Sequence, residues 1–117
     1  MSEEKTKRVR IEFFESPTCP HCAVAQGMLK AAEKIYKDDI EIVNINVTTK
    51  NGAILAQLNN ITGTPTIFIN GELKFQGEPQ RESLLFEAIE NFLDEKALKR
   101  AKTNKQRITQ RRNMIYS

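Results

Sequence analysis

Tryptophan is missing from this sequence altogether, histidine occurs once and cysteine twice in 117 residues. Two cysteines cannot build the cross-linked framework of a small secreted domain. Zinc asks for four ligands, and a lone histidine adjacent to a cysteine cannot readily share one tetrahedron with both thiols. Long apolar runs are missing too. No stretch approaches the ~20 residues of a membrane span, and Met1-Ser2-Glu3-Glu4-Lys5 lacks the apolar run of a signal peptide. Internal repeats and Gly/Ser-rich linkers are absent. These absences point to a soluble, cytoplasmic chain with no membrane partner, long enough for one modest core but not for two.

Acidic residues stop at Glu95. Residues 1–95 hold 10 basic and 15 acidic groups, net −5, whereas eight basic residues from Lys96 to Arg112 give the remainder +8. The overall +3 therefore sums two unlike parts. A polar, frayed segment 1–7 is expected first, then an acidic body over 8–95. A basic extension over 96–117 follows, for which the charge asymmetry suggests an anionic partner such as nucleic acid. The competing reading of the extension is a solvated tail. As a helix it has only the sparse apolar stripe Leu98, Ala101, Ile108 and Ile115, and Tyr116 is its one aromatic for base stacking.

Within the body, Arg8 to Phe14 alternates, with Val9, Ile11 and Phe13 on one face, and reads as a strand. Ala25, Met28, Leu29, Ala32, Ile35 and Tyr36 recur at helical spacing as far as about Lys37. Gly27 among them costs a helix about 1 kcal/mol against Ala, which suggests a close contact there. Ile40, Ile42, Val43, Ile45 and Val47 make a second strand, parallel to the first across the crossover helix. Thr48 or Thr49 caps a short second helix ending at Asn59-Asn60. Thr66 to Ile69 and Glu72 to Phe75 flank Asn70-Gly71, a strong hairpin signal. A last helix begins near Gln80, carries Leu84, Leu85, Ala88, Ile89, Phe92 and Leu93 on one face, and meets no stop before Thr103.

The chemistry concentrates in Cys19-Pro20-His21-Cys22, which holds both cysteines and the only histidine. Pro20 suits the first helical position, where a missing N–H costs nothing. Cys19 then stands at the N-cap, its sulfur accepting from the main-chain N–H groups of His21 and Cys22. The positive end of the helix dipole favours the anionic sulfur, and a protonated His21 favours it further. Cys22, three residues on, has its Cα about 5 Å away by helix geometry, within disulfide reach. It lacks the N-cap donors and should keep a higher pKa. Cys19 therefore reads as the thiol that attacks a partner disulfide, Cys22 as the thiol that resolves the mixed disulfide, and Pro20 and His21 as tuning residues.

The order β-α-β-α-β-β-α, the CPHC, the Gly63-Thr64-Pro65-Thr66 stretch and the hairpin Ile67 to Glu72 resemble the thioredoxin superfamily over roughly residues 8–93. The likeness is closest to small glutaredoxin-like thioredoxins of archaea. The resemblance implies an α/β thioredoxin fold, a four-stranded mixed sheet in the order β2-β1-β3-β4 counting strands along the chain, with helices on both faces. It implies a cis Pro65 against the cysteines and a Thr64 main chain that docks the substrate. It also implies a monomeric protein-disulfide reductase that takes protein disulfide substrates, is regenerated by an external reductase and needs no cofactor beyond its thiol pair. The family's tryptophan before the CxxC is absent, and Gly77-Glu78-Pro79-Gln80 stands where glutaredoxins carry a glutathione-binding turn. Where thioredoxins often carry a buried Asp on the first strand, this chain offers Phe13 and, one residue earlier, Glu12. Glu12 resembles a Glu at the same offset before the cysteines in some glutaredoxins and is a candidate for proton transfer. The CPHC also resembles that of strongly oxidising enzymes, which keeps a disulfide oxidase or isomerase as an alternative. A different alternative is an interaction module whose basic tail binds nucleic acid or a protein assembly.

Overall fold

Strict alternation makes the first strand, β1 (Val9–Glu15), the centre of the molecule: Val9, Ile11 and Phe13 are buried on one face, while Arg10 between them is exposed. The computed structural model, which describes residues 8–116, flanks it with β2 (Ile40–Asn46) in parallel and β3 (Thr66–Ile69) antiparallel. The last strand, β4 (Glu72–Gln76), pairs antiparallel with β3 through the Asn70-Gly71 turn, where φ is 50° and 82°. Positive φ at both central residues is what a two-residue hairpin needs, and Asn-Gly tolerates it best. The sheet order is β2-β1-β3-β4, as the resemblance implies.

Helix α1 (Pro20–Tyr36) links β1 to β2 through a single 3-10 turn, Lys37–Asp39, and buries Ala25, Leu29, Ala32, Ile35 and Tyr36. Those side chains meet Val9, Ile11, Phe13, Ile40, Ile67 and Ile69, which register places on one face of the sheet. Leu85 and Ile89 of α3 (Glu82–Glu90) complete this core. Each such side chain is worth about 1.5–3 kcal/mol when fully buried. On the other face lie Phe14, Ile45 and Thr66, all buried. Helix α2 (Lys50–Leu58), capped by the Thr49 hydroxyl on the Gly52 N–H, packs its N-terminal end against β2.

Two local expectations differ from what is observed. Gly27 makes no close approach, since a Cβ there would meet nothing within 4 Å. The last helix also does not run on past Leu93. It stops at Glu90, and Asp94 starts a separate helix, α4 (Glu95–Tyr116). The Asp94 carboxylate accepts from the Ala97 N–H at 2.8 Å and its carbonyl from the Leu98 N–H at 2.9 Å, an N-cap that lets the chain change direction.

That change of direction lays the first half of α4 along α1. Ala97 and Ala101 are buried and Ile108 half-buried at the contact. Asn104 donates from Nδ2 to the carbonyl of Ile35 at 2.7 Å, satisfying one of the carbonyls that the end of α1 leaves open. Arg100 grips Asp39 with two hydrogen bonds, 2.7 and 3.1 Å. Glu90 of α3 accepts from both the Tyr36 hydroxyl and the Lys105 ammonium, the latter at 2.6 Å. Residue 95, expected to end the body, therefore lies at the start of a helix that is pinned to that body.

Candidate active site

The loop leaving β1 turns once before α1 begins, with the Cys19 N–H donating to the Ser16 carbonyl at 3.2 Å. Cys19 is the N-cap, with extended φ −96° and ψ 112°, and Pro20 opens the helix. The Cys22 N–H donates to the Cys19 sulfur at 3.2 Å, so the cap is made by a sulfur in the place of the usual oxygen. Cys19 is half-buried and Cys22, one turn further on, is buried against the core; both are free thiols.

The contacts separate the two sulfurs chemically. Cys19 is drawn below the ordinary thiol value, first by the Cys22 side chain hydrogen-bonded to it and then by the N–H groups of Cys22 and His21, with partial burial opposing. Cys22 is pushed up, first by burial and then by its hydrogen bond to Cys19, where it serves as donor. A thiol drawn toward its anion thus sits beside one held toward its protonated form.

Across from the cysteines, the Thr64–Pro65 peptide bond is cis. The Thr64 carbonyl faces the Cys19 thiol at 3.6 Å. The segment is tied down on both sides: the Thr66 hydroxyl donates to the Gly63 carbonyl at 2.7 Å, and the Gly77 N–H to the Pro65 carbonyl at 2.7 Å. The second of these brings the loop after β4 beside the active-site helix. There Glu78 meets His21, Oε1 to Nδ1 at 2.7 Å. The Glu78 hydrogen bond and charge raise the His21 pKa, and the charge on Cys19 adds to the effect. His21, Thr64, Pro65, Gly77 and Glu78 line a shallow depression of about 410 Å³ next to the Cys19 thiol.

Cys19, Pro20, His21, Cys22, Thr64 and Pro65 are therefore brought together at one end of the sheet. Glu12 is not among them. Its register against Val43 and Phe68 puts it on the sheet face away from Cys22, where it pairs with Arg10 at 3.5 Å. A carboxylate that burial does hold toward its protonated form is Glu15, at the end of β1 that leads into the cysteine loop. Glu78 and Glu15 both escape the sequence reading. The available signal for Glu78 was an acidic residue directly after Gly77, in the loop that follows the Asn70-Gly71 hairpin.

A family model described as Thioredoxin domain matches residues 7–90. The thioredoxin of Methanocaldococcus jannaschii is 37% identical over 86 residues, covering 74% of this chain and 98% of that relative. A probable thioredoxin of Methanothermobacter thermautotrophicus is 36% identical over the same length and coverage. Among solved structures, mitochondrial thioredoxin 3 of Saccharomyces cerevisiae superposes with a TM-score of 0.59 at 20% identity, covering 74% of this chain and 82% of that one. Thioredoxin O2 of Arabidopsis thaliana gives 0.61 at 13%, covering 78% and 79%. The solved structures bear on the fold alone; the sequence relatives bear on the family. With its paired thiols on one helical turn, the chain belongs to the thioredoxin family and is a thiol–disulfide oxidoreductase that reduces protein disulfides.

Proposed function

We propose that Cys19 is the attacking thiol of this reductase and Cys22 the resolving one. The observation that carries the assignment is the split between them: Cys19 caps the helix with its pKa drawn down, while Cys22 is buried with its pKa raised. The Cys19 thiolate attacks one sulfur of a protein disulfide, and the other substrate sulfur leaves as a thiolate and takes up a proton. Cys22 then gives up its proton and attacks the Cys19 sulfur. The Cys19–Cys22 bond closes and the second substrate thiolate departs. Two electrons pass to the substrate, and an external reductase returns them. The balance closes with the dithiol alone, which supports a reaction without a further cofactor.

In this reading Pro20 and His21 set the affinity of the helix end for the thiolate. The Thr64-Pro65 segment, facing Cys19, docks the substrate main chain. Names of the relatives support net reduction over oxidation or isomerisation, and a reductase of this kind belongs in a reducing cytoplasm. A reduction potential below the cytosolic glutathione poise of about −220 to −260 mV supports that direction, and one well above it supports an oxidase. The basic run along α4 supports one further element, an anionic partner, because eight cations follow Glu95 with no acidic residue among them.

Two variants test the thiol roles. Cys22→Ser should accumulate a mixed disulfide with an insulin-like substrate that dithiothreitol releases, and Cys19→Ser should lose disulfide reduction. Reduction that survives Cys19→Ser would sink the assignment.

A further inference from the structure

Opposite the active site, two cavities flank Ile108 where α4 crosses the C-terminal half of α1. One, about 430 Å³, lies between Lys34 and Lys37 on one wall and Arg107 and Arg111 on the other. The second, about 590 Å³, sets Lys30 and Lys34 against Lys105 and Arg112. Lys34 and Ile108 line both, so the two are halves of one cationic cleft divided by the contact of Ile108 with α1. Glu82 is its only carboxylate. The nearest lining residue on α1 is Gly27, roughly 12 Å along the helix from Cys19 at about 1.5 Å per residue, and the first lining cation, Lys30, is one turn further away.

The cations of α4 divide along the helix. Arg100 and Lys105, in the anchored half, are neutralised by Asp39 and Glu90. Arg107, Arg111 and Arg112 have no salt bridge among the described residues, and neither do Lys30, Lys34 and Lys37 opposite them. Unpaired like charges facing one another across a cleft raise the free energy of the folded state. An anion bound between them removes that cost. A protein-binding core is poor in Lys and rich in apolar anchors, whereas nucleic-acid-binding surfaces are polar and strongly cationic. This cleft is of the second kind. Cavities of about 430 and 590 Å³ have room for the sugar-phosphates of a single strand, whereas a duplex could only touch their rims. Among the described residues Phe86 is the one aromatic side chain in the lining, so phosphates rather than stacked bases carry the contact there.

We infer that the α1/α4 cleft binds the phosphate backbone of single-stranded nucleic acid without regard to sequence. This rests on the reading that α4 has an anionic partner, and adds the site, the α1 wall and the ligand. The family match ends at residue 90, before α4 begins, so the α4 wall of the site lies outside the matched thioredoxin domain while the α1 wall lies within it.

The test is fluorescence anisotropy of labelled oligothymidylate of about 20 nucleotides, titrated with the full-length reduced protein. With about four to six phosphates engaged, affinity should fall roughly 50- to 300-fold between about 50 and 200 mM salt, because each engaged phosphate adds about −0.7 to the log–log slope. Lys30→Gln/Lys34→Gln on α1 and Arg107→Gln/Arg111→Gln on α4 should each make that slope shallower by about 1.4. Lys96→Gln/Lys99→Gln removes equal charge from α4 outside the cleft and should leave the slope as it was. Disulfide reduction should be unchanged in all three, and Cys19→Ser should bind the oligonucleotide normally. Equal loss from the control pair, no loss from the α1 pair, or equal affinity for a duplex of the same length overturns the cleft but keeps the anionic partner. Binding of polyglutamate in preference to the oligonucleotide overturns the choice of ligand. No response to either polyanion at the lower salt overturns the anionic partner as well.

Discussion

Glu78 acts on the chemistry from the far side of a hydrogen bond. Its carboxylate raises the His21 pKa, and a charged imidazole beside Cys19 stabilises the thiolate. Glu78→Gln keeps the size and a hydrogen-bonding group but removes the charge, so the His21 pKa should drop back toward its ordinary value. At neutral pH less imidazolium remains. The Cys19 pKa should then rise, alkylation by iodoacetamide at pH 7 should slow several-fold, and the reduction potential should become more negative, since the reduced thiolate form has lost a stabilising charge. The sign for stability follows from the same shift. A raised histidine pKa favours the folded state fully below about 6.5, and the contribution fades as pH rises through the folded-state value. Wild type should therefore lose this stabilisation between those two pH values, and Glu78→Gln should show a flatter profile in denaturant titrations. An unchanged alkylation profile would show that the pair is only a surface contact. The places of Cys19 at the N-cap and Pro20 at the helix start were legible in the sequence because an N-cap acts within four residues. Glu78 was not, because its partner lies 57 residues away and only the return of the chain after β4 brings them together.

Helical elements carry the next lesson, which two glycines make testable. A Cβ at Gly52 would stand 1.8 Å from the Asn46 carbonyl oxygen and 2.8 Å from the Thr49 hydroxyl that caps α2. Gly52→Ala must push α2 off β2, at a cost of about 1–3 kcal/mol or more. Gly27 faces open space, so Gly27→Ala should gain about 0.5–1 kcal/mol from helix propensity alone. Thermal melts of the two variants should move in opposite directions. Periodicity treats both as helix-interior glycines and cannot tell them apart, since the difference lies in what crosses them. The same limit explains α4. Its packing seam is Ala97, Ala101, Asn104 and Ile108, spaced four, three and four, in which small residues permit close approach and a polar one closes the end of α1. A search for large apolar residues instead picks out Leu98, which is 38% exposed. β1 and the Asn70-Gly71 hairpin were readable because their patterns are local and of period two.

For the whole molecule, the question is whether the chain after Glu95 is an appendage or part of the fold. An appendage can be removed without a change in melting temperature. Here removal strips Ala97 and Ala101 from the core, leaves the Ile35 carbonyl without its Asn104 donor, and takes Arg100 from Asp39 and Lys105 from the Glu90 carboxylate that Tyr36 shares. The ion pairs are partly exposed and count for little. Renewed exposure of α1 and of the two alanines should still cost about 2–3 kcal/mol. At about 4–8 °C per kcal/mol for a domain of this size, truncation after Asp94 should lower the melting temperature by roughly 10–20 °C. A shorter truncation after Thr109 keeps every anchor just named and should melt within a few degrees of wild type, even though it removes Arg111 and Arg112. Both truncated forms should retain disulfide reduction below their melting temperatures, since the cysteines stand at the opposite end of α1. If the first truncation melts like the intact chain, α4 is detachable and the domain ends at residue 95. If it melts early while the second does not, the first half of α4 belongs to the fold and the chain after Thr109 is not needed for it.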